Sequence, residues 1–439
     1  MKKNRVVLFA LVLFLGLSSL ALANGFNLNS LGSRALAMGG AFVGLADDYS
    51  AIYWNPAGIA QFKTKYFGFY GTDIIPKGSY LFQRPTEAGL LTVVDAKTKT
   101  KHYLSGMAAY YHPINENLVA GVGVYIPSGL GAAWNGDDFR LLTNNTSYLW
   151  ESRVGMITFA PAVSYKINDM VSVGATLNIN YGMFTVKTHA GNVAIPVAPG
   201  ELDLGQYDES LNGWGLGATF GVLVKPNDML SFGATVRTPS KIKLSGDVTI
   251  QNIDLLNPNF KNTSEANRDV TWPWWVGAGV AYRPRQDLIL TADLQWTQWS
   301  REKDLETRYK DPYWSLFMEA SGGNILPLKW SDALQIRFGA EYMLYQNIAL
   351  RAGYYYDPSP APDRTLNVLL PSYDFNVITL GLGYDLNGLV IDFAFEMLFG
   401  RKREVDFAKW LLDPAWESAR PGVHKMNIYV PNISISYKF

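Results

Sequence analysis

The chain has 439 residues, 48% of them hydrophobic and 14% aromatic, and its 38 Lys and Arg balance 38 Asp and Glu. It contains no cysteine, which excludes disulfides and thiolate metal sites, and its four histidines (His102, His112, His189, His424) show no metal-ligand pairing. Charged residues make up 17%, below the roughly 25% usual in soluble domains, and the even balance offers no basic field for nucleic acid.

The chain opens with a basic "MKKNR", an apolar "VVLFALVLFLGLSSL" and a small-residue "ALA". That order predicts a secretory signal peptide over residues 1–23, cleaved after Ala23. Its loss removes three cations (Lys2, Lys3, Arg5) and no acid, taking the formal charge from 0 to −3. Beyond it no run of about 20 apolar residues remains, so no transmembrane helix is expected.

Residues 24–62 lack strand alternation. "SRALAMGGA" (33–41) and "DDYSAIYWN" (47–55) each predict a turn or two of helix, the second with Asp47 as N-cap. Pro56 then turns the chain at Asn55. Such irregular backbone cannot face lipid. It can occupy a polar lumen, so 24–62 reads as a mostly helical hatch plugging a barrel formed by residues 63–439.

From there the pattern is period two. In "VSVGATLNINYG" (171–182) the residues Val171, Val173, Ala175, Leu177, Ile179 and Tyr181 share one face, and Ser172, Thr176, Asn178 and Asn180 the other. "LSFGATVR", "LILTADLQW", "LQIRFGAEY", "IALRAGYYY" and "LVIDFAFEM" repeat the pattern, with aromatic ends suited to bilayer interfaces. Short turns at 112–117, 166–169, 225–228, 283–287, 345–347 and 385–388 alternate with long irregular stretches at 76–101, 127–151, 188–210, 248–272, 301–331, 358–375 and 401–423. That rhythm predicts an all-β fold, a transmembrane antiparallel barrel of about fourteen strands. Both termini then lie on the short-turn side. The chain ends "NISISYKF", where Tyr437 and Phe439 resemble the terminal signature read by the bacterial barrel-assembly machinery.

With these elements in place, "GFNLNSLGSRALAMGGAFVGLADDYSAIYWNPAGIAQF" resembles the hatch of the FadL/TodX-type outer-membrane transporters of long-chain fatty acids and hydrocarbons. Asn55, Pro56 and Ala57 match that family's hatch motif. "YIPSGLGAAW", "GVAYRPRQDLILTADLQWTQWS" and "RAGYYYDPSPAPDRT" extend the likeness over nearly the whole mature chain. One departure is "PSYDFNVITLG" (371–381), which lacks an arginine common in relatives.

The resemblance implies passive uptake of a hydrophobic ligand, most readily a long-chain fatty acid, with lateral release through a kink in the third strand. Gly123, Pro127 and Gly129 are the candidate kink residues, since Pro127 cannot donate a ladder hydrogen bond. An uncharged aromatic hydrocarbon is the alternative ligand. A carboxylate would need a basic partner, and by alternation Arg237, Arg337 and Arg351 face the lumen. Arg351 lies nearly opposite Glu341 and reads as an ion pair in the wall, which leaves Arg237 and Arg337. Phe26 resembles the hatch aromatic that touches bound ligand. No cofactor, metal or energy-coupling segment is expected, and no Ser sits in G-x-S-x-G, which argues against an enzyme. A general porin would not need the hatch; an adhesin would bind no hydrophobic ligand. The expected partners are the ligand, outer-membrane lipid and lipopolysaccharide, and the assembly machinery, around a monomer in the outer membrane of a Gram-negative bacterium.

Overall fold

A computed structural model describes residues 25–194, 200–416 and 418–439; the expected signal peptide lies outside them. The alternating segments close into one barrel of fourteen antiparallel strands. In chain order these are β1 (Tyr66–Thr86), β2 (Gly89–Lys97 and Tyr103–Pro113), β3 (Leu118–Trp134), β4 (Trp150–Lys166) and β5 (Val171–His189). They continue as β6 (Gln206–Asn227), β7 (Leu230–Arg237 and Ser240–Ile250), β8 (Thr263–Trp272 and Trp275–Arg285) and β9 (Leu288–Thr297 and Asp304–Tyr309). The last are β10 (Ile325–Pro327 and Ala333–Tyr345), β11 (Ile348–Asp357), β12 (Phe375–Leu386), β13 (Leu389–Gly400 and Arg403–Val405) and β14 (Gly422–Lys438). The circle closes where β1 pairs with β14, from Tyr66 opposite Lys438 to Leu81 opposite Val423.

The barrel is inverted relative to a soluble core. Leu177, Leu216, Phe220, Leu294, Leu380, Phe393 and Ile435 are exposed on the outside, while Thr176, Asn178, Thr219, Gln295, Thr379 and Ser434 are buried within. Only a hydrocarbon surround makes that distribution stable. At one end every hairpin is tight, and Asn and Asp explain why. Asn115, Asn168 and Asn227 each accept two backbone N–H bonds of their own turn at 2.9–3.0 Å. The opposite end differs from expectation. The stretch read as a long loop at 76–101 is largely strand, as is about half of 248–272, and β1 and β2 stay paired up to Thr86 and Gly89. Beyond the bilayer both faces of a strand are wet, so backbone pairing continues after the hydrophobic alternation has faded.

Residues 25–62 fill the lumen. They are less helical than expected: α1 is a single turn (Ser33–Ala37), α2 another (Ala51–Trp54), and Pro56–Gln61 forms a 3₁₀ turn. The helix expected over 33–41 stops early because Gly39 and Gly40 both adopt positive φ (65° and 63°). Asp47 does not cap α2. Its carboxylate pairs with Arg34 and Arg283, and Asp48 accepts from Ser50 N and Oγ instead (2.7 and 2.6 Å).

The inverted surface makes a direct prediction. Leu380→Arg, on the outer face of β12, should lower stability in lipid by about 2–4 kcal/mol if it lies near the midplane. Reversible urea unfolding in bilayers measures this, with Leu316→Arg on an exposed loop helix as the near-neutral control.

Candidate functional site

An irregular segment inside a barrel has no neighbouring strand to satisfy its backbone, so wall side chains must do it. They do so around much of the circumference. Asp293 on β9 accepts from the amides of Phe42 and Val43, both at 2.9 Å. Thr379 on β12 takes the Gly39 amide (3.1 Å) and donates to the Ala37 carbonyl (2.9 Å). Ser231 donates to Gly44 O at 2.7 Å, and Ser164 and Ser172 both donate to Ala57 O at 3.2 and 3.0 Å. Close approach is possible because inward positions of the wall are glycine. A Cβ at Gly233 would collide with Val43 O, and one at Gly353 with Gly39 N.

The Asn55-Pro56-Ala57 triplet has a physical reading here. Asn55 is fully buried; its amide donates to Val43 O (3.0 Å) within the hatch and to Val222 O (2.9 Å) in the wall. Its Oδ1 accepts from Ala57 N (3.1 Å), capping the 3₁₀ turn that begins at Pro56. Only a side chain with both amide donors and a carbonyl can do all three. At the short-turn end an ionic chain fastens the same element. Arg34 contacts Asp47 (2.5 Å) and Glu341 (2.7 Å), Glu341 contacts Arg351 (2.6 Å), and Arg351 contacts Asp392 (2.6 Å). The expected Glu341–Arg351 pair is present; Arg34 is the partner that alternation could not reveal. Beside it, the Asp48 carboxyl is pushed up to about 6 by burial, with Oδ2 left unpartnered among the described residues.

The third strand carries an irregularity at the expected place. Tyr125 faces Thr158 and Ser128 faces Met156, so Ile126 and Pro127 share one position of β4 in a bulge. On the other side, the β2–β3 ladder ends at Met107 opposite Tyr125. Among the described residues it resumes where Lys99 N donates to Ala133 O (2.7 Å), next to the Thr98–Trp134 bridge. From Ile126 to Ala132 the wall has a window lacking backbone pairing to β2 among the described residues. Gly129 lies within it; Gly123 does not, since it sits in an unbroken ladder opposite Ala109 and Ala160.

The start of the hatch fills the window from inside. Leu28 N donates to Pro127 O (2.8 Å), and Ser128 Oγ donates to Phe26 O (2.5 Å). The Phe26 ring is buried among Trp272, Trp299 and Trp330, with centroids 5.9, 5.6 and 4.7 Å away. Two cavities meet here. The larger has about 1100 Å³ of empty space, part of it open, and is predominantly apolar; Phe26, Tyr103, Leu130, Trp330 and Met426 are in its wall. Its ionisable side chains besides tyrosine are Asp357 and Glu396. The smaller, about 450 Å³, is walled by Tyr125, Pro127, Asn180, Arg237, Ser240 and Trp272. Asn27 borders both.

Of the two arginines expected to meet a carboxylate, Arg337 is committed elsewhere. It is 1% exposed and donates to Gly39 O (2.9 Å) and Asn29 O (2.8 Å), with its guanidinium over the Tyr355 ring, so it holds the hatch and lines neither cavity. Arg237 does line the smaller one. Beside the 371–381 stretch, Arg403 reaches Asp363 (2.6 Å), Ser372 O and Ala361 O (both 2.8 Å) and ties down that loop. Phe439 is exposed at the end of β14, its amide bonded to Lys65 O at 2.9 Å, and Tyr437 faces outward.

A fourteen-stranded barrel closed by an N-terminal plug, with a window in its third strand, narrows the comparison with known proteins. The family profile described as "Outer membrane protein transport protein (OMPP1/FadL/TodX)" matches residues 14–439. The chain belongs to the OMPP1/FadL/TodX family. Among its relatives are Outer membrane protein P1 of Haemophilus influenzae, 23% identical over 92% of this chain and 91% of that protein. The Long-chain fatty acid transport protein of Escherichia coli K12 is 24% identical over 84% of this chain and 86% of that protein. A Pseudomonas aeruginosa FadL homologue superposes with a TM-score of 0.77 at 18% identity, covering 95% of this chain and 100% of that one. The Pseudomonas putida toluene transporter TodX gives 0.71 at 17% identity, with 94% and 99% covered. This FadL/TodX protein is therefore a barrel of the Gram-negative outer membrane, and its tight turns take the periplasmic side.

Two outcomes follow from the seam. Asn55→Ala strands buried groups at about 1–3 kcal/mol each, so hydrogen exchange across residues 43–57 should quicken while the barrel keeps its heat-modifiable gel migration. Asp48 holds its proton more tightly in the folded hatch than in the unfolded chain. Its contribution is therefore complete below about pH 4 and lost as pH rises towards 6. Hatch protection should fall over that interval in the native protein, and Asp48→Asn should flatten the dependence.

Proposed function

We propose that the protein is a passive channel that takes up hydrophobic molecules and releases them sideways, through the window beside Pro127, into the membrane. The observation that carries this reading is the missing β2–β3 pairing, bordered by Tyr103, Leu130 and Gly131, which also wall the larger cavity. A ligand in that cavity faces the window across the Phe26–Leu28 segment. Water-soluble solutes gain nothing from such a route, since it ends in hydrocarbon. No step of it requires bond making or an energy source, and the protein is read as a carrier of ligand, without catalysis.

Long-chain fatty acids are the proposed cargo, in line with the E. coli relative named for their transport. Uncharged aromatic hydrocarbons are the second reading. TodX is named for toluene, and the absence of any Lys, Arg or His from the wall of the larger cavity favours a ligand without negative charge there.

Deleting Ile126 restores one-to-one register between β3 and β4 and should straighten the strand. Uptake by cells is then expected to fall at least tenfold, while binding of ligand to the purified protein in detergent stays within about twofold. Unimpaired uptake in that variant would place the exit elsewhere.

A further inference from the structure

We infer that the outer surface of the barrel seam, where β13, β14, β1 and β2 adjoin, binds the phosphate groups of the outer-leaflet glycolipid through Lys77, Lys97 and Lys425. The site stands apart from the transport reading, although it lies beside the window.

Strand register gathers these lysines. Ser79 on β1 is opposite Lys425 on β14 and Lys97 on β2. Residues paired directly share a face, with Cβ atoms about 5 Å apart, so two lysines flank Ser79 in one row across three strands. Lys77 lies two residues along β1 on the same face, opposite Asn427, and its Nζ donates to Thr100 Oγ1. All three lysines are exposed, while the alternating Gly78, Ala96, His424 and Met426 are buried, so the row points outward. Lys99 and Arg401, also exposed, extend it just past the first segments of β2 and β13.

Height matters as much as position. The row is at the long-loop end of the strands, the side away from the periplasm. One step nearer the periplasm are Phe399, Tyr429 and Ile75, and below them Ile433, Ile435, Phe69 and Phe67 meet hydrocarbon. Aromatic residues above an apolar strip mark the head-group level of a bilayer. Cations placed there meet lipid head groups.

Charge balance singles out this sector. Across the barrel, exposed lysines near the same end are neutralised: Lys241 pairs with Asp269 (2.9 Å), Lys329 with Asp304 (2.7 Å) and Lys310 with Glu265. At the seam Lys402 pairs with Glu404 (3.3 Å) and His102 with Asp73 (2.6 Å). Lys77, Lys97, Lys99, Lys425 and Arg401 have no carboxylate within 4.0 Å among the described residues. Asp95, two residues from Lys97 on the same face, leaves the sector with an excess of positive charge. Like charges across strands repel each other unless an anion lies between them. A phosphate, with several acceptor oxygens, can bridge ammonium groups on neighbouring strands. In the outer leaflet of a Gram-negative outer membrane, lipopolysaccharide supplies that group on its lipid A. Lys99, whose amide bonds to Ala133 O at the edge of the window, belongs to the same segment. The acyl chains of a glycolipid held at this row therefore pass beside the window.

The test measures binding of bisphosphorylated lipid A, and of the same lipid with its phosphates removed, to purified protein in detergent by native mass spectrometry. A chelator is present, so that no divalent cation bridges protein and lipid. Combining Lys77→Gln, Lys97→Gln and Lys425→Gln is expected to weaken binding of the phosphorylated lipid about tenfold or more. Combining Lys241→Gln, Lys310→Gln and Lys329→Gln removes the same charge from the far side and is expected to change binding by less than about twofold. The dephosphorylated lipid should bind the native protein no better than the phosphorylated lipid binds the seam variant. Heat-modifiable gel migration checks that both barrels close. Should the seam variant fail that check, Lys97→Gln alone carries the test, with an expected loss of about two- to threefold. Equal losses in the two triple variants, unchanged binding at the seam, or native binding indifferent to phosphate would overturn the site. Native binding that vanishes on adding the chelator would assign the contact to a divalent cation and overturn it as well.

Discussion

A backbone that is neither helix nor sheet still carries one donor and one acceptor per residue, and inside a closed barrel whatever its own turns leave unmet must be met by side chains and the wall. Almost everything distinctive about the interior follows from meeting that demand. Asp293, Thr379, Ser231, Gln295 and Asn55 each hold a hatch carbonyl or amide. Inward glycines bring the two backbones close enough for these bonds to form, with Met38 and Gly39 lying directly against Gly339 and Gly353. The lumen is polar because the plug requires it to be, and the exterior is apolar because lipid does.

The ionic chain at the periplasmic end and the hydrogen-bonded seam above it share the work unequally. Arg34, Glu341, Arg351 and Asp392 form a linked series in which each interior charge is shared by two partners, the arrangement in which buried ions are least costly. The N-terminal end of the hatch is held differently: Phe26 packs among three tryptophans, Leu28 N donates to Pro127 O, and Ser128 Oγ donates to Phe26 O. The plug is fixed by charges at its base and by ring packing and backbone-directed bonds at its tip, where both cavities and the window meet.

Much of this was legible in the sequence. Period-two alternation gave the barrel and its orientation, because burial on one face and lipid on the other act on every second residue. The Glu341–Arg351 pair followed from counting back from the 345–347 turn. What the sequence hid was of two kinds. Strand extent beyond the membrane was underestimated, since pairing at β1–β2 persists where alternation does not. Contacts between segments far apart in the chain were invisible: alternation correctly aimed Arg337 inward, but nothing local showed that Gly39 O and Asn29 O would be waiting for it. Arg403 was missed for the same reason, since its partners at 361–372 come from another loop.

Backbone-directed bonds at the tip, among them Leu28 to Pro127 and Ser128 to Phe26, set a scale for its opening. Each is worth about 1 kcal/mol net, and withdrawing the buried Phe26 ring from its tryptophans costs about 1.5–3 kcal/mol more. An opening that costs about 4 kcal/mol is populated on the order of 0.1% of the time and needs no fuel. A leaflet hung this way swings on thermal energy alone and is shut nearly all of the time.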